Sequence, residues 1–186
     1  MEKQSRPLRI APVPEAERTG DVRELLDLVT IATGGDTNIF TTLVQAPGLY
    51  RRWLPFGGRL MNGKLPARDR EMLILRTGWN CESEYEWVGH AQFALTCGLS
   101  AEEVQRVFEA PDDPSWSEFD AALLRAADEL HTTWTISDAT WSVLTSHYDV
   151  DQLIELPMLV GHYHMAAMTL NALVVELDDD LTFHSN

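Results

Sequence analysis

The sequence has few basic residues and few cysteines, and each scarcity excludes a class of protein. Its 186 residues include 14 Lys and Arg against 29 Asp and Glu, which gives a formal net charge of −15. A surface of this charge repels polyanions, so no nucleic-acid partner is expected. Cys81 and Cys97 are the only two thiols, too few for the disulfide framework of a small secreted protein.

Long apolar runs are also missing. No stretch approaches the roughly 18 consecutive apolar residues of a membrane-spanning helix, and the opening residues MEKQSRPLRIAPVP contain no apolar core of a signal peptide. No segment alternates convincingly between apolar and polar residues with a period of two, so no sheet is predicted. We therefore expect a cytoplasmic protein of the all-α class, without a membrane partner.

What the sequence does contain is a series of helical patterns. Residues 1–20 carry three prolines and predict an extended arm, residues 21–177 predict one helical domain, and residues 178–186 predict an acidic tail. Within the domain, Gly98 should end the helix that begins near Ser83, because glycine is the commonest residue just beyond a helix C-terminus.

One segment places an acid and an imidazole where burial is expected. In EYEWVGH, residues 84–90, Glu86 lies four residues before His90, so the two side chains are about 40° apart on a helix. Both lie at or inside the apolar arc, and an unpaired buried charge is costly, so each needs a partner. Glu71, on the preceding helix, is the nearest candidate in the sequence, and a short connection would fold the two helices back to back.

The same residues allow two other interpretations. Ser83 and Glu86 have the spacing of a capping box, with Ser83 as the N-cap and Glu86 as the third helical residue. His90 would then be a core histidine bonded to a backbone carbonyl. Alternatively, Glu71, Glu86 and His90 could be metal ligands, but no second histidine has ligand spacing, so no metal is predicted.

Two stretches of the sequence resemble the carboxymuconolactone decarboxylase family, which also contains the alkylhydroperoxidases. They are NIFTTLVQAPGLYRRWLPFGGRL and LPARDREMLILRTGWNCESEYEWVGHAQFALTCGLSAEEV, and the tail LVGHYHMAAMTLNALVVEL is similar to the family's closing helix. The resemblance covers roughly residues 8–177, and its specific motif is REMLILR followed by YEWVGH. It implies an all-helical, alkylhydroperoxidase-like bundle that assembles as a homo-oligomer, a dimer, trimer or hexamer.

The family has two chemistries, and the first depends on thiols. Its peroxidase members carry a Cys-x-x-Cys motif, whose two positions fall on Ser83 and Glu86 when the motif is aligned at His90. Serine and glutamate cannot form a redox-active disulfide. Cys81 and Cys97 would be about 24 Å apart along one straight helix, too far to pair. Dithiol-dependent peroxidase activity is therefore disfavoured.

The decarboxylase members show the same Glu-x-x-x-His spacing, and their reaction needs no metal or organic cofactor. The resemblance therefore implies a cofactor-independent acid/base enzyme whose substrate is a small, anionic lactone or a related metabolite. The expected catalytic residues are His90, Glu86 and Glu71. His90 would transfer a proton near neutral pH, and Glu86 would orient or polarise it. Glu71 is either a second partner of His90 or a base in its own right.

Four further residues are candidates for substrate binding: Arg76, Ser83, Tyr85 and Trp87. Arg76 could pair a substrate carboxylate or hold an acid in place, and aromatic side chains such as Tyr85 and Trp87 belong more often to the core or an interface than to a substrate site. The dedicated decarboxylases are expected to have a basic residue near Ser83, so lyase, isomerase and cyclase reactions stay open beside decarboxylation. A lapsed site on an oligomeric binding or scaffold protein is also open.

Aromatic residues and histidines outside this segment give weaker indications. Trp53 and Phe56 precede the motif and could form the wall of a pocket. His162 and His164 are two residues apart and so face different sides of a helix, one towards a pocket and one towards a surface or interface. His131 carries no signal in the sequence.

Overall fold

The computed structural model describes residues 7–33, 36–108 and 112–179, and within these ranges it contains helices and no strand. The prediction of an all-α fold is therefore confirmed. No helix in the described ranges is both long enough and apolar enough to span a membrane. After a 3-10 turn at Glu15–Glu17, the helices are α1 (Gly20–Thr33), α2 (Asn38–Leu43), α3 (Pro47–Met61), α4 (Ala67–Asn80), α5 (Glu84–Thr96), α6 (Ala101–Arg106), α7 (Glu118–Thr133), α8 (Asp138–Thr145) and α9 (Val150–Leu173).

Helix α4 forms the centre of the fold. Residues 69–78 are all buried, and α4 packs against α5, α7 and α9. A helix at the surface of a protein is buried along one stripe only. Because α4 is buried on every side, each of its polar side chains needs a partner inside the protein.

Ion pairs and hydrogen bonds supply partners at the start of α4. Arg68 lies 2.7 Å from Glu103 and 2.7 Å from Asp120, and the Tyr148 hydroxyl donates to Asp69 at 2.8 Å. These contacts join the first turn of α4 to α6, α7 and the segment before α9. These contacts fix the first turn of α4 and thereby help to position the polar side chains of the turns that follow.

The connection between α4 and α5 is short and determines where the α5 side chains lie. Glu82 takes the left-handed conformation with φ 49°. The N–H groups of Glu82 and Ser83 donate to the carbonyls of Trp79 and Gly78, both at 2.9 Å, which is the hydrogen-bond pattern of a Schellman motif. A Cβ on Gly78 would lie 3.3 Å from Cβ of Glu86. The absent side chain thus lets the first turn of α5 approach α4 closely.

The far end of α5 also follows the sequence prediction. Gly98 has φ 100°, a conformation that favours glycine, and the N–H of Leu99 donates to the Ala94 carbonyl at 3.1 Å. Helix α5 therefore ends where the sequence predicts.

The predicted N-terminal arm is described from residue 7 onwards. The N–H of Arg9 donates to the Leu173 carbonyl at 3.2 Å, and the Gln45 side chain donates to the Ala11 carbonyl at 2.7 Å. This part of the arm is thus bound to the end of α9 and to the α2–α3 connection. The boundaries of the arm, the domain and the acidic tail stay predictions, and residues 1–6 and 180–186 lie outside the described residues.

Candidate active site

Glu71, Glu86 and His90 meet between α4 and α5, as the sequence predicts, and we refer to them as the acid–imidazole cluster. His90 Nδ1 lies 2.7 Å from Glu71 Oε2, and His90 Nε2 lies 3.8 Å from Glu86 Oε2. The Glu71 side chain is fully buried, whereas 5% of the Glu86 side chain and 17% of the His90 side chain are exposed. The imidazole is therefore the group of the three that solvent or a ligand reaches most readily.

Glu71 has partners on both of its oxygens. Arg70 Nε donates to Glu71 Oε1 at 3.0 Å, and His90 Nδ1 donates to Oε2. A carboxylate only accepts hydrogen bonds, so the neutral imidazole must carry its hydrogen on Nδ1. The other ring nitrogen, Nε2, is then the one that gains or loses a proton, and it is the nitrogen nearest Glu86.

This arrangement does not support the interpretation of the cluster as a metal site. The two acids contact opposite nitrogens of one imidazole ring. One metal ion binds a histidine through a single ring nitrogen. It would therefore lie beside Glu71 or beside Glu86, and not beside both of them together with His90.

Burial and charge raise the pKa of two members of the cluster, Glu86 and His90. Burial raises the pKa of Glu86 to about 7, and the charge of His90 opposes this in part. For His90, burial disfavours the imidazolium, but the Glu71 carboxylate and its hydrogen bond outweigh burial and raise the pKa. Near neutral pH Glu86 is therefore partly protonated, and the raised pKa of His90 favours the imidazolium form.

The raised pKa of Glu86 predicts a stability that depends on pH. A carboxyl group whose pKa is higher in the folded state stabilises the fold fully below its unfolded pKa, and this contribution is lost as pH rises through the folded pKa. For Glu86 these values are 4.5 and about 7, so the loss over this window should be on the order of 3 kcal/mol. The amide of the Glu86→Gln variant cannot titrate, so this variant should lose most of the pH dependence of stability.

Urea unfolding of both proteins at about pH 5 and about pH 8 measures this difference. Glu84→Gln makes the same chemical change at an exposed position of α5 and should keep the wild-type dependence. His90 contributes in the same direction in all three proteins, because its pKa is also raised. Equal losses of stability in wild type and Glu86→Gln would contradict the assignment.

The capping-box interpretation of this segment is wrong. Ser83 is the N-cap residue of α5, but its side chain accepts no hydrogen bond from the helix. Its N–H donates to Gly78 instead of Glu86, whose carboxylate faces His90. In the described part of the chain the buried Ser83 Oγ has no hydrogen-bond partner. An unpaired buried hydroxyl is costly, so Ser83 stays a candidate for contacting a ligand.

Arg76 is occupied by an acid of the protein itself. Its guanidinium pairs with both carboxylate oxygens of Asp128, at 2.5 Å and 2.8 Å. It also donates to the carbonyls of Val107 and Phe108, at 2.9 Å and 3.2 Å. Of the two roles considered for Arg76, the contacts match the one in which it holds an acid in place, and they fasten α4 to α7 and to the end of α6.

The two aromatic candidates for substrate binding also make contacts within the fold. The Tyr85 hydroxyl donates to Asp178 at 2.5 Å and accepts from the N–H of Ile39 at 3.2 Å. The Trp87 ring stacks on Phe108 with ring centroids 4.3 Å apart. Tyr85 therefore anchors the C-terminal segment and α2 to α5, and Trp87 belongs to an aromatic contact at the end of α6.

Sequence reasoning missed two residues that touch the cluster. One is Arg70, which holds Glu71. The other is Tyr163 of α9, whose buried ring lies edge-on to His90 with centroids 5.0 Å apart. Burial, together with the charges of Glu86 and Glu71, raises the pKa of Tyr163 well above its usual value, so the phenol stays neutral. No spacing in the sequence relates α9 to α5, and only their packing brings Tyr163 to the site.

A cavity of about 310 Å³ lies between α3 and α9, and Trp53 and Phe56 line it, as predicted for a pocket wall. His162 packs behind this wall, with its ring stacked on Trp53 at a centroid distance of 5.6 Å. His164 faces α7 instead, with Nε2 at 2.9 Å from His131 Nδ1. No member of the acid–imidazole cluster lines this cavity, so the cavity is separate from the cluster.

Comparison with solved structures identifies the fold. A structure described as an alkylhydroperoxidase AhpD core, an uncharacterized peroxidase-related protein from Ralstonia eutropha JMP134, matches with a TM-score of 0.81 and 20% identity over 95% of both chains. An uncharacterized peroxidase-related protein from Silicibacter sp. TM1040 matches with a TM-score of 0.80 and 12% identity over 97% of both chains. A variant of the debrominase Bmp8 in complex with 2,3,4-tribromopyrrole matches with a TM-score of 0.78 and 13% identity over 95% of both chains. These identities show the fold alone, which is the AhpD-like helical fold.

A family model matches the central segment of the sequence. Residues 47–129 match the carboxymuconolactone decarboxylase family, and the family resemblance predicted from the sequence is thereby confirmed. The matched segment runs from α3 into α7 and contains the whole acid–imidazole cluster. No curated protein matches the chain.

Proposed function

We propose that the chain is a cofactor-independent acid/base enzyme that acts on a small, anionic lactone or a related metabolite. The observation that carries this proposal is the pair of contacts at His90, with Nδ1 at 2.7 Å from Glu71 and Nε2 at 3.8 Å from Glu86. One ring nitrogen is anchored, and the other has no short hydrogen bond to Glu86 and lies on a partly exposed side chain. An imidazole held in this way can exchange a proton with a substrate through Nε2.

The geometry favours different roles for the two acids. Glu71 is the positioning residue, because both of its oxygens already accept hydrogen bonds from Arg70 and His90. Glu86 is the second proton-carrying group, because a pKa of about 7 lets it hold or release a proton near neutral pH. The sequence prediction had Glu86 orienting His90, and the proposal gives that task to Glu71.

The charges of the site suit an anionic substrate. With Glu86 protonated, the His90 imidazolium and the Arg70 guanidinium face the single carboxylate of Glu71, which leaves a local positive charge in a chain of net charge −15. In a decarboxylation, the substrate carboxylate leaves as CO2, and the electrons of the broken C–C bond are held as an extended enolate. His90 Nε2 would then return a proton to the substrate, and the same step would serve an isomerase or a cyclase.

The exposure of His90 favours this function over that of a scaffold protein whose active site has lapsed. A cluster kept only for packing would be sealed, whereas 17% of the His90 side chain is accessible. The Ser83 hydroxyl, which has no partner among the described residues, lies at the start of the same helix. Both features support a site that receives a ligand.

A screen of 4-carboxy lactones and related carboxylated lactones tests the proposed function. CO2 release reports decarboxylation, and NMR spectra of the same mixtures report isomerisation or cyclisation. We expect turnover by the wild-type protein and much slower turnover by His90→Gln. Equal turnover by both proteins would overturn the acid/base assignment.

Peroxide turnover that depends on thiols should be absent. Ser83 and Glu86 stand where the peroxidases have redox cysteines, and both thiols of the chain are unpaired. Cys97 Sγ lies 3.7 Å from Arg70 Nη2 near the start of α4, whereas Cys81 follows the last residue of α4. Peroxide consumption with a thiol reductant should equal that of the double variant Cys81→Ala/Cys97→Ala. A rate clearly above that of the variant would restore the peroxidase alternative.

We also propose that the protein is a cytoplasmic homo-oligomer. Trp134 is 87% exposed in the single chain, and Trp79 and Trp141 are also exposed. Aromatic residues of this size are enriched at protein interfaces. Size-exclusion chromatography with light scattering at micromolar concentration should therefore give the mass of a dimer, trimer or hexamer. A mass of about 21 kDa, that of one chain, would contradict this proposal.

A further inference from the structure

Three potential metal ligands from different parts of the chain meet outside the acid–imidazole cluster. They are Cys81 at the end of α4, His131 in α7 and His164 in α9, and their donor atoms all lie within 4.8 Å of one another. His131 Nδ1 is 2.9 Å from His164 Nε2. All three residues are half-buried, so the group is shielded from bulk water but still within reach of an ion.

The hydrogen bonds around the group prepare it to bind a cation. His164 Nδ1 lies 2.9 Å from the Val160 carbonyl, which only accepts, so Nδ1 carries the hydrogen and Nε2 presents its lone pair to His131. Metal-binding histidines usually donate their second N–H to a carbonyl or carboxylate in this way. The side chain of Asn171 donates to the Cys81 carbonyl at 2.8 Å, which holds Cys81 against α9.

We propose that Cys81, His131 and His164 form a binding site for a divalent transition-metal ion, with Zn²⁺ as the best match. One thiolate and two imidazoles are typical ligands of this ion, and a fourth position stays open to water or a small ligand. A tetrahedral ion at the usual bond lengths places such donors about 3.3–3.6 Å apart. The observed separations reach this geometry through side-chain shifts of about 1 Å.

The ion would connect three helices at the connection that leads into the acid–imidazole cluster. On binding, the Cys81 thiol gives its proton to solvent, both imidazoles bind in the neutral form, and His131 carries its hydrogen on Nε2. Because Cys81 directly precedes the left-handed Glu82, the ion would fasten the α4–α5 connection to α7 and α9. The site does not depend on the proposed acid/base function, since its test measures metal binding alone.

A Co²⁺ titration of the reduced, chelator-treated full-length protein tests the proposal. A four-coordinate Co²⁺ bound by a thiolate gives a charge-transfer absorption in the near ultraviolet and strong bands in the visible range. We expect both signals at one ion per chain, and we expect Zn²⁺ to displace Co²⁺. Binding without the charge-transfer absorption would show that Cys81 is not a ligand and would overturn the proposal.

Single variants then identify the ligands. Cys81→Ser should abolish the charge-transfer absorption, and Cys81→Ser, His131→Gln and His164→Gln should each weaken binding by about 100-fold or more. Cys97→Ser and His147→Gln change the same residue types outside the group and should bind as the wild type does. Zn²⁺ should raise the Tm of the wild type and of both controls, but not that of Cys81→Ser. Undiminished binding by Cys81→Ser, or an equal loss in the controls, would overturn the proposal.

Discussion

Replacing His90 with glutamine should lower turnover by about 10²–10⁴-fold while the protein still folds. The amide is close in size to the imidazole and can keep a hydrogen bond to Glu71. It cannot carry a proton between Nε2 and a substrate atom, and this transfer is the step assigned to His90. The measurement is kcat on the substrate found in the lactone screen, with circular dichroism and thermal melting to confirm the fold.

His147→Gln is the matched control for this variant. His147 lies just beyond the end of α8 and stacks on Phe119 with ring centroids 4.3 Å apart, outside the proposed site. Its substitution should leave kcat unchanged. If His90→Gln keeps wild-type turnover as well, His90 is a core residue and the acid/base proposal fails.

Helical periodicity placed Glu86 and His90 on one helix face, and the family resemblance favoured their grouping with Glu71 at a functional site. Glu86 and His90 are four residues apart, and a short connection places Glu71 on the facing helix. These two features require only that the segments are helical and antiparallel, which local sequence determines. Gly98 marks the end of α5 for a separate local reason, because its φ of 100° is a conformation that favours glycine.

The division of roles within the cluster could not be predicted in the same way. A helical wheel gives the direction of a side chain but not the ring nitrogen that each acid contacts. The structure places Glu71 at Nδ1 and Glu86 at Nε2, and the proposed roles of the two acids rest on this difference. Ser83 illustrates a related limit, because its spacing to Glu86 is that of a capping box, although the α4–α5 connection uses its N–H elsewhere.

Contacts between distant segments were also beyond the sequence. Arg76 meets Asp128, 52 residues away, because α7 packs against α4. Tyr163 reaches His90 only because α9 packs against α5. Such partners depend on how the helices are arranged around α4, and a single sequence contains no local signal for that arrangement.

Glu71→Gln should cause the largest loss of stability among the variants of the site, about 3–5 kcal/mol. The fully buried carboxylate accepts from Arg70 on one oxygen and from His90 on the other. An amide offers only one acceptor, so its NH2 group must face one of these donors, and the buried guanidinium loses its counter-charge. Urea unfolding measures the loss, and Tm should fall by on the order of 10 °C.

Two further measurements separate positioning from packing at Glu71. In the double variant Arg70→Met/Glu71→Gln the unpaired guanidinium is gone, so the loss of stability should be clearly smaller than the sum of the two single losses. The Glu71 carboxylate raises the pKa of His90, so Glu71→Gln should shift the imidazole limb of the pH–rate profile to lower pH. If Glu71 only fills space, Glu71→Gln would change the Tm but would not shift the imidazole limb of the pH–rate profile. An unshifted limb in a folded Glu71→Gln protein would therefore contradict the positioning role, since the anchored Nδ1 is the feature that directs Nε2 towards the substrate.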